Sequence, residues 1–184
     1  MTMAIPKISV EEMETKYVAR EAKSQGSDLA FLDQRLPGFQ REIINMIGTS
    51  VTENPEDPAL EPKISSPAHG FAVIYNRAEN GNGAALHAHL TEEVFVPIRG
   101  TWELYWLEGE DERAVKLEPG DIINVPTLIY RGFRCVCDDP DALILTIVGG
   151  PDAGNVAWHP SVVEAARGTG LEVDEEGNLR EIDS

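Results

Sequence analysis

From His69 to Gly149 the chain passes through eight short stretches: "FAVIY", "AALHAH", "EVFVPI", "TWELYWL", "AVKL", "DIINV", "IYRGFRCV" and "ALILTIV". Each is β-branched or aromatic and is closed by a turn signal, the pattern of short strands. No helical periodicity separates them, so they must bury their apolar faces against one another as an antiparallel sandwich or small barrel. "IRGT" and "EPGD" read as tight turns. In the second, Pro119 presets φ and Gly120 supplies the positive φ of a type II turn.

The flanks have a different texture. "SVEEMETKYVAREAKSQG" opens at Ser9 with Glu12 three positions on, a capping-box pattern, and Val10, Met13 and Tyr17 recur at helical spacing. "FQREIINMIG" contains a strand, and "TENPEDPALEPKISSP" reads as an irregular surface connection. After the strands, "SVVEAARG" repeats the capping-box spacing at Ser161 and Glu164, and "LEVDEEGNLREIDS" forms a small hairpin or a solvated acidic end. The 184 residues divide into an N-terminal arm over 1–66, a barrel over 67–150, and a C-terminal helix with acidic tail over 151–184. The arm has too few apolar residues to bury a core alone.

Charge narrows the partners. Acidic residues outnumber basic ones 32 to 15, giving a net charge of −17, which repels a phosphate backbone or an anionic lipid surface. Neither nucleic acid nor membrane is expected as a partner, and "ALILTIV" is too short to span a bilayer. No secretion signal is apparent, and Cys135 and Cys137 are too close for an ordinary disulfide. The expected location is the cytoplasm, with reduced thiols.

Two of the four histidines fall one residue apart, in "LHAH". On a strand, residues i and i+2 point to one face, so His87 and His89 converge. The next strand starts at Glu92 or Glu93. Taken as the antiparallel neighbour, it brings a carboxylate to the same point. Two imidazoles and one carboxylate form a facial ligand set with open positions. It suits iron(II) particularly, although zinc, manganese, nickel or copper could enter.

The stretch Gly81, His87, His89, Glu93, Gly100 is similar to the first motif of the cupin superfamily, with every fixed position filled. "GDIINVPTLIYRGFRC" resembles the second, with Gly120, Asp121 and Pro126 in place. The resemblance covers about residues 69–149. It implies an all-β, double-stranded β-helix (jelly-roll) barrel, to which the N-terminal helical arm and short C-terminal helix are added. It also implies a metal at the inner end of the pocket and a homodimer. The second motif departs from the family: Arg131 stands where a histidine ligand is usual, Leu128 replaces a glycine, and Cys135 an asparagine. A guanidinium has no lone pair to donate, so Arg131 is no ligand. Leu128 makes a positive-φ turn unexpected there.

Two readings of Arg131 stand. In one it is the catalytic cation, pairing with an anionic substrate beside a metal held by His87, His89 and Glu93. In the other it forms a salt bridge to Glu93 in a metal-free pocket. The metal reading is favoured because such ligand sets are geometrically demanding. The function expected is then a metal-dependent oxidoreductase on a small, anionic or enolisable organic substrate, dioxygenase-like as in quercetin dioxygenase-like cupins. The alternatives are a redox-neutral lyase, isomerase or cyclase, and a small-molecule-binding protein without turnover. His69 and His159 read as surface or structural histidines, and Glu92 as solvated. Tyr75, Tyr105 and Tyr130 are acid–base candidates that nothing in the sequence separates. Phe95, Trp102, Leu104 and Trp106 read as barrel core, with Cys135 and Cys137 as small interior fillers.

Overall fold

The computed structural model describes residues 7–48, 52–64, 70–150 and 155–182. Its strands are β1 (Glu42–Ile47), β2 (Phe71–Arg77), β3 (Gly83–Ala88), β4 (Glu93–Arg99), β5 (Trp102–Glu108) and β6 (Asp111–Leu117). They continue as β7 (Ile123–Val125), β8 (Arg131–Cys135), β9 (Leu143–Gly149), β10 (Ala157–Trp158), β11 (Leu171–Val173) and β12 (Leu179–Glu181). Helices α1 (Val10–Lys16) and α2 (Pro160–Arg167) flank them. All eight sequence-predicted strands are present, and the tail forms the β11–β12 hairpin.

Two five-stranded sheets carry the fold, in the orders β1-β2-β9-β4-β7 and β10-β3-β8-β5-β6. Every pairing within them is antiparallel, the jelly-roll form of a closed β architecture. Consecutive strands β2, β3 and β4 alternate between sheets, so the chain crosses the sandwich at each link. This corrects the expectation that β3 and β4 are hydrogen-bonded neighbours. β3 pairs with β8 and β10, whereas β4 pairs with β9 and β7.

The inward faces meet in two apolar clusters. One gathers Phe95, Trp102, Leu104, Phe133, Cys135 and Ile144. Trp102 is wholly buried and donates its indole N–H to the Arg99 carbonyl at 3.0 Å, so burial leaves no orphan donor. Cys135 is a filler there, its thiol pushed up to about 11 by burial. The other cluster joins Ile74 and Val148 of the sheet to Ala30, Phe31, Ile43 and Leu60 from the segment that precedes it. That segment supplies core: Ile43 and Ile44 of β1 are almost fully buried.

Helix α1 behaves differently. Ser9 caps it as expected, accepting from the Glu12 amide at 3.0 Å, but it spans only seven residues and buries none. Val10, Met13 and Tyr17, whose spacing suggested a packed face, are exposed. Helix α2 starts before the Ser161 cap expected from sequence. His159 is the N-cap, its ring accepting from the Ser161 amide, and Pro160 takes the first helical position, where its missing N–H costs nothing. Leu128 is a second correction. It adopts φ of 66° despite its side chain, and its amide bonds the His89 carbonyl at 3.0 Å. Tertiary contacts impose a left-handed turn that a leucine disfavours by about 1–2 kcal/mol.

Glu53 ties the flanks together. Its carboxylate accepts from the Leu32 amide (2.8 Å) and the Trp158 indole (2.6 Å). Its backbone bonds Ala30 and Leu179. Among the described residues no helix is long and apolar enough to cross a membrane.

Two outcomes follow for stability. Ile44→Ala should cost about 2–5 kcal/mol in urea unfolding, whereas Met13→Ala should stay within about 0.5 kcal/mol. Burial pushes the Glu53 carboxyl from 4.5 up to about 7, so the folded state holds a proton that the unfolded state releases. That contribution is complete below pH 4.5 and is lost as pH rises through about 7. Glu53→Gln should therefore flatten this fall in urea-unfolding free energy. An unchanged slope would remove Glu53 as its source.

Candidate metal centre

His87 and Glu93 reach the same interior point from opposite sheets. β3 presents His87, and His89 follows at its end. Gly83 opens the strand where a Cβ would lie 1.9 Å from the Phe133 carbonyl, so only glycine permits the close approach of β3 to β8. A register shift between Ala84 and His87 then re-aims the strand. Facing it, β4 begins with Glu93 inward and Phe95 two residues on. Glu92 points out and is exposed.

All three side chains are buried, and one ligand atom of each lies within 4.8 Å of the others. His87 Nε2 is 4.0 Å from Glu93 Oε2, and His89 Nε2 is 3.8 Å from Glu93 Oε1. Their Nδ1 atoms are spoken for. That of His87 meets the Ala85 carbonyl at 2.7 Å, and that of His89 the Asn155 carbonyl at 2.8 Å. A carbonyl only accepts, so Nδ1 carries the proton in each ring and Nε2 keeps its lone pair. Burial, reinforced by the Arg131 charge, holds His87 well below its ordinary pKa. Burial also lowers His89, with Glu93 opposing. Both rings are thus neutral, as ligation requires.

These features fit a divalent ion. Metal bonds of about 2.1 Å put two ligand atoms at most about 4.2 Å apart. The cluster would close around an ion by shifts of the order of 1 Å. Backbone acceptors on both Nδ1 atoms are the outer-shell arrangement that orients ligating histidines.

Arg131 sits behind the carboxylate. Only 1% exposed, it donates from Nε (3.0 Å) and Nη2 (2.5 Å) to Glu93 Oε2, and from Nη1 to the His87 carbonyl at 3.3 Å. Glu93 Oε1 is left toward His89. Arg131 is not among the residues lining the adjoining cavity, so the direct substrate contact expected of it is not the arrangement observed.

That cavity measures about 40 Å³ and is bounded by His87, His89 and Glu93, with Arg41, Asn76 and Thr146 as further polar groups. Phe31, Ile74, Ala84, Phe133, Val148, Val156 and Trp158 complete its wall. The Trp158 ring lies 5.5 Å from that of His87 and is pinned by Glu53. Sequence reasoning missed Phe31, Arg41 and Trp158, because they come from segments outside the motifs.

The remaining candidates fall elsewhere. Tyr105 donates to the Ala84 carbonyl at 2.7 Å, and burial pushes its phenol up. Tyr75 is on the outward face of β2, and Tyr130 packs edge-on against His159 at 5.0 Å. None lines the cavity. His159 is a cap, and His69 lies outside the described residues.

No protein-family model matches the chain, and no curated protein matches it in sequence. Solved structures similar to it include KdgF from Halomonas sp., at 18% identity and TM-score 0.45, covering 71% of this chain and 92% of that one. A protein with a double-stranded β-helix domain from Klebsiella pneumoniae has 17% identity and TM-score 0.46, covering 72% and 99%. For DMSP lyase DddQ from Ruegeria pomeroyi the values are 23% and 0.40, covering 50% of this chain and 44% of that one. The two facing five-stranded antiparallel sheets are the jelly-roll fold that the resemblance of residues 81–100 to the first cupin motif implies.

Proposed function

We propose that the protein is a mononuclear metal enzyme acting on a very small organic substrate, with the ion held by His87 Nε2, His89 Nε2 and Glu93. The observation that carries this reading is the pair of Nδ1–H···O=C bonds, which turn two neutral imidazole lone pairs toward one carboxylate. Backbone acceptors on Nδ1 are the outer-shell partners that orient ligating histidines. Iron(II) is the favoured ion for a two-histidine, one-carboxylate set. When bound, it would supply open coordination positions for substrate or dioxygen.

The chain's own residues do the rest. Arg131 pairs with Glu93 through Oε2 and so fixes which oxygen faces the histidines. Phe31, Phe133 and Trp158 line the site with apolar surface, which strengthens the charge interactions beside it. Arg41, Asn76 and Thr146 are the groups left to orient a substrate. Among the described residues that bound the cavity, Arg41 and the proposed ligands are the ionisable ones. Open positions on such an ion suit a dioxygenase-like reaction, and a redox-neutral lyase or isomerase is the alternative. The homodimer and the cytoplasmic location belong to the same proposal.

Untagged protein should carry about one equivalent of metal by elemental analysis, and His87→Ala should lose it. Full metal content in that variant would remove the ligand assignment. Iron(II)-loaded protein should consume oxygen with small 2-oxo acids or enols, and turnover without oxygen uptake would select the redox-neutral alternative. Arg131 competes with the ion for Glu93, so Arg131→Met should lower the metal-free melting temperature and increase the rise on adding zinc. Removing one partner of a buried pair typically costs about 3–5 kcal/mol. A smaller rise than wild type would mean that Arg131 does not oppose the ion.

A further inference from the structure

We propose that Arg41 is the substrate-binding cation of this cavity and that its ligand is a small carboxylate. The proposal deepens the reading above and rests on it for the cavity's role as the reaction site. The Arg41 side chain is 4% exposed and lines the cavity with His87, His89 and Glu93. One of its nitrogens carries all its bonds among the described residues. Nη1 donates to Asp33 Oδ2 (3.0 Å), the Phe39 carbonyl (3.0 Å) and the Gly83 carbonyl (2.8 Å). Nε is buried with no partner.

A buried donor without an acceptor is costly, and native structures seldom keep one. With Nη1 occupied, the free edge of the guanidinium is Nε with Nη2. Two parallel N–H groups on that edge match the two oxygens of a carboxylate. Phe31 and Phe133 flank the guanidinium, with ring centroids 5.7 and 6.0 Å from its central carbon. Asp33 is paired on the Nη1 side and does not line the cavity.

Charge agrees with this. Arg41 balances Asp33 and Arg131 balances Glu93, so a divalent ion added there would leave a double positive charge for an anion to neutralise. Size sets the class. One water needs about 10–15 Å³ measured in this way, so about 40 Å³ seats a group of a few heavy atoms, such as a carboxylate. Formate and acetate are of that size.

The test is thermal unfolding of the full chain, metal-free and zinc-loaded, with acetate, acetamide or chloride at matched ionic strength. Acetate should raise the melting temperature of both forms, whereas acetamide and chloride should not. Arg41→Lys keeps the charge but loses the fork, and should weaken the apparent acetate Kd by at least about tenfold. Should that variant not fold, the double variant Asp33→Asn/Arg41→Gln removes the buried pair together and should abolish the response. Acetate acting no better than acetamide or chloride would overturn the proposal, leaving a trapped water as the partner of Nε. An unchanged acetate affinity in Arg41→Lys would overturn it too. Zinc failing to bind while metal-free protein still responds to acetate would sink the metal reading and leave Arg41 standing. Zinc binding without an acetate response would do the reverse.

Discussion

A carboxylate buried between two β-sheets must be compensated, and the interior of this protein is arranged around that requirement. Glu93 is 4% exposed, and an unpaired charge at such a depth is prohibitively unfavourable. Arg131 supplies the countercharge from the opposite sheet, which couples the sandwich halves at the point where His87, His89 and Glu93 converge. Because both short contacts go to Oε2, the carboxylate is held in one orientation with Oε1 toward His89. The substitution of arginine for the usual histidine of the second motif therefore changes what this position does. Here the position holds the Glu93 carboxylate by two hydrogen bonds to Oε2.

Around this pair the cavity is closed by chain that lies far away in sequence. Phe31 and Arg41 come from the segment before and within reach of β1, and Trp158 from β10 after the last long strand. Glu53 links these pieces, accepting from Leu32 and Trp158 while its backbone bonds Ala30 and Leu179. The flanks are thus continuous with the core. β1 and β10 are edge strands of the two sheets, and Asn155, just before β10, fixes the His89 tautomer. A change in the tail would be felt at the imidazoles through that carbonyl and through the Trp158 ring.

Much of the strand content was legible because period-two alternation is a local signal. Parity alone put His87 with His89, and Glu93 with Phe95, on their faces, and the motif spacing distinguished Glu93 from Glu92. Turn chemistry was equally readable where glycine supplied the positive φ, as at Gly100 and Gly120. It misled at Leu128, where the surrounding contacts outweigh the residue's own preference. The Ser161 capping box also misled, because His159 and Pro160 provide a better-placed start two residues earlier. In α1 the apolar spacing promised a packed face. Periodicity reports what a helix could bury and carries no information on whether a partner surface is present.

The sequence by itself determined the all-β class, the order and approximate places of the strands, and the grouping of two histidines and a glutamate near one turn, since these depend on residues a few positions apart. Only the tertiary structure decided that β3 and β4 lie in opposite sheets, that Arg131 stands behind Glu93, and that Arg41 occupies the cavity. The reason is physical. Strand pairing in a jelly roll is set by contacts tens of residues apart, and burial of charge is settled only when all the groups around a site are in place.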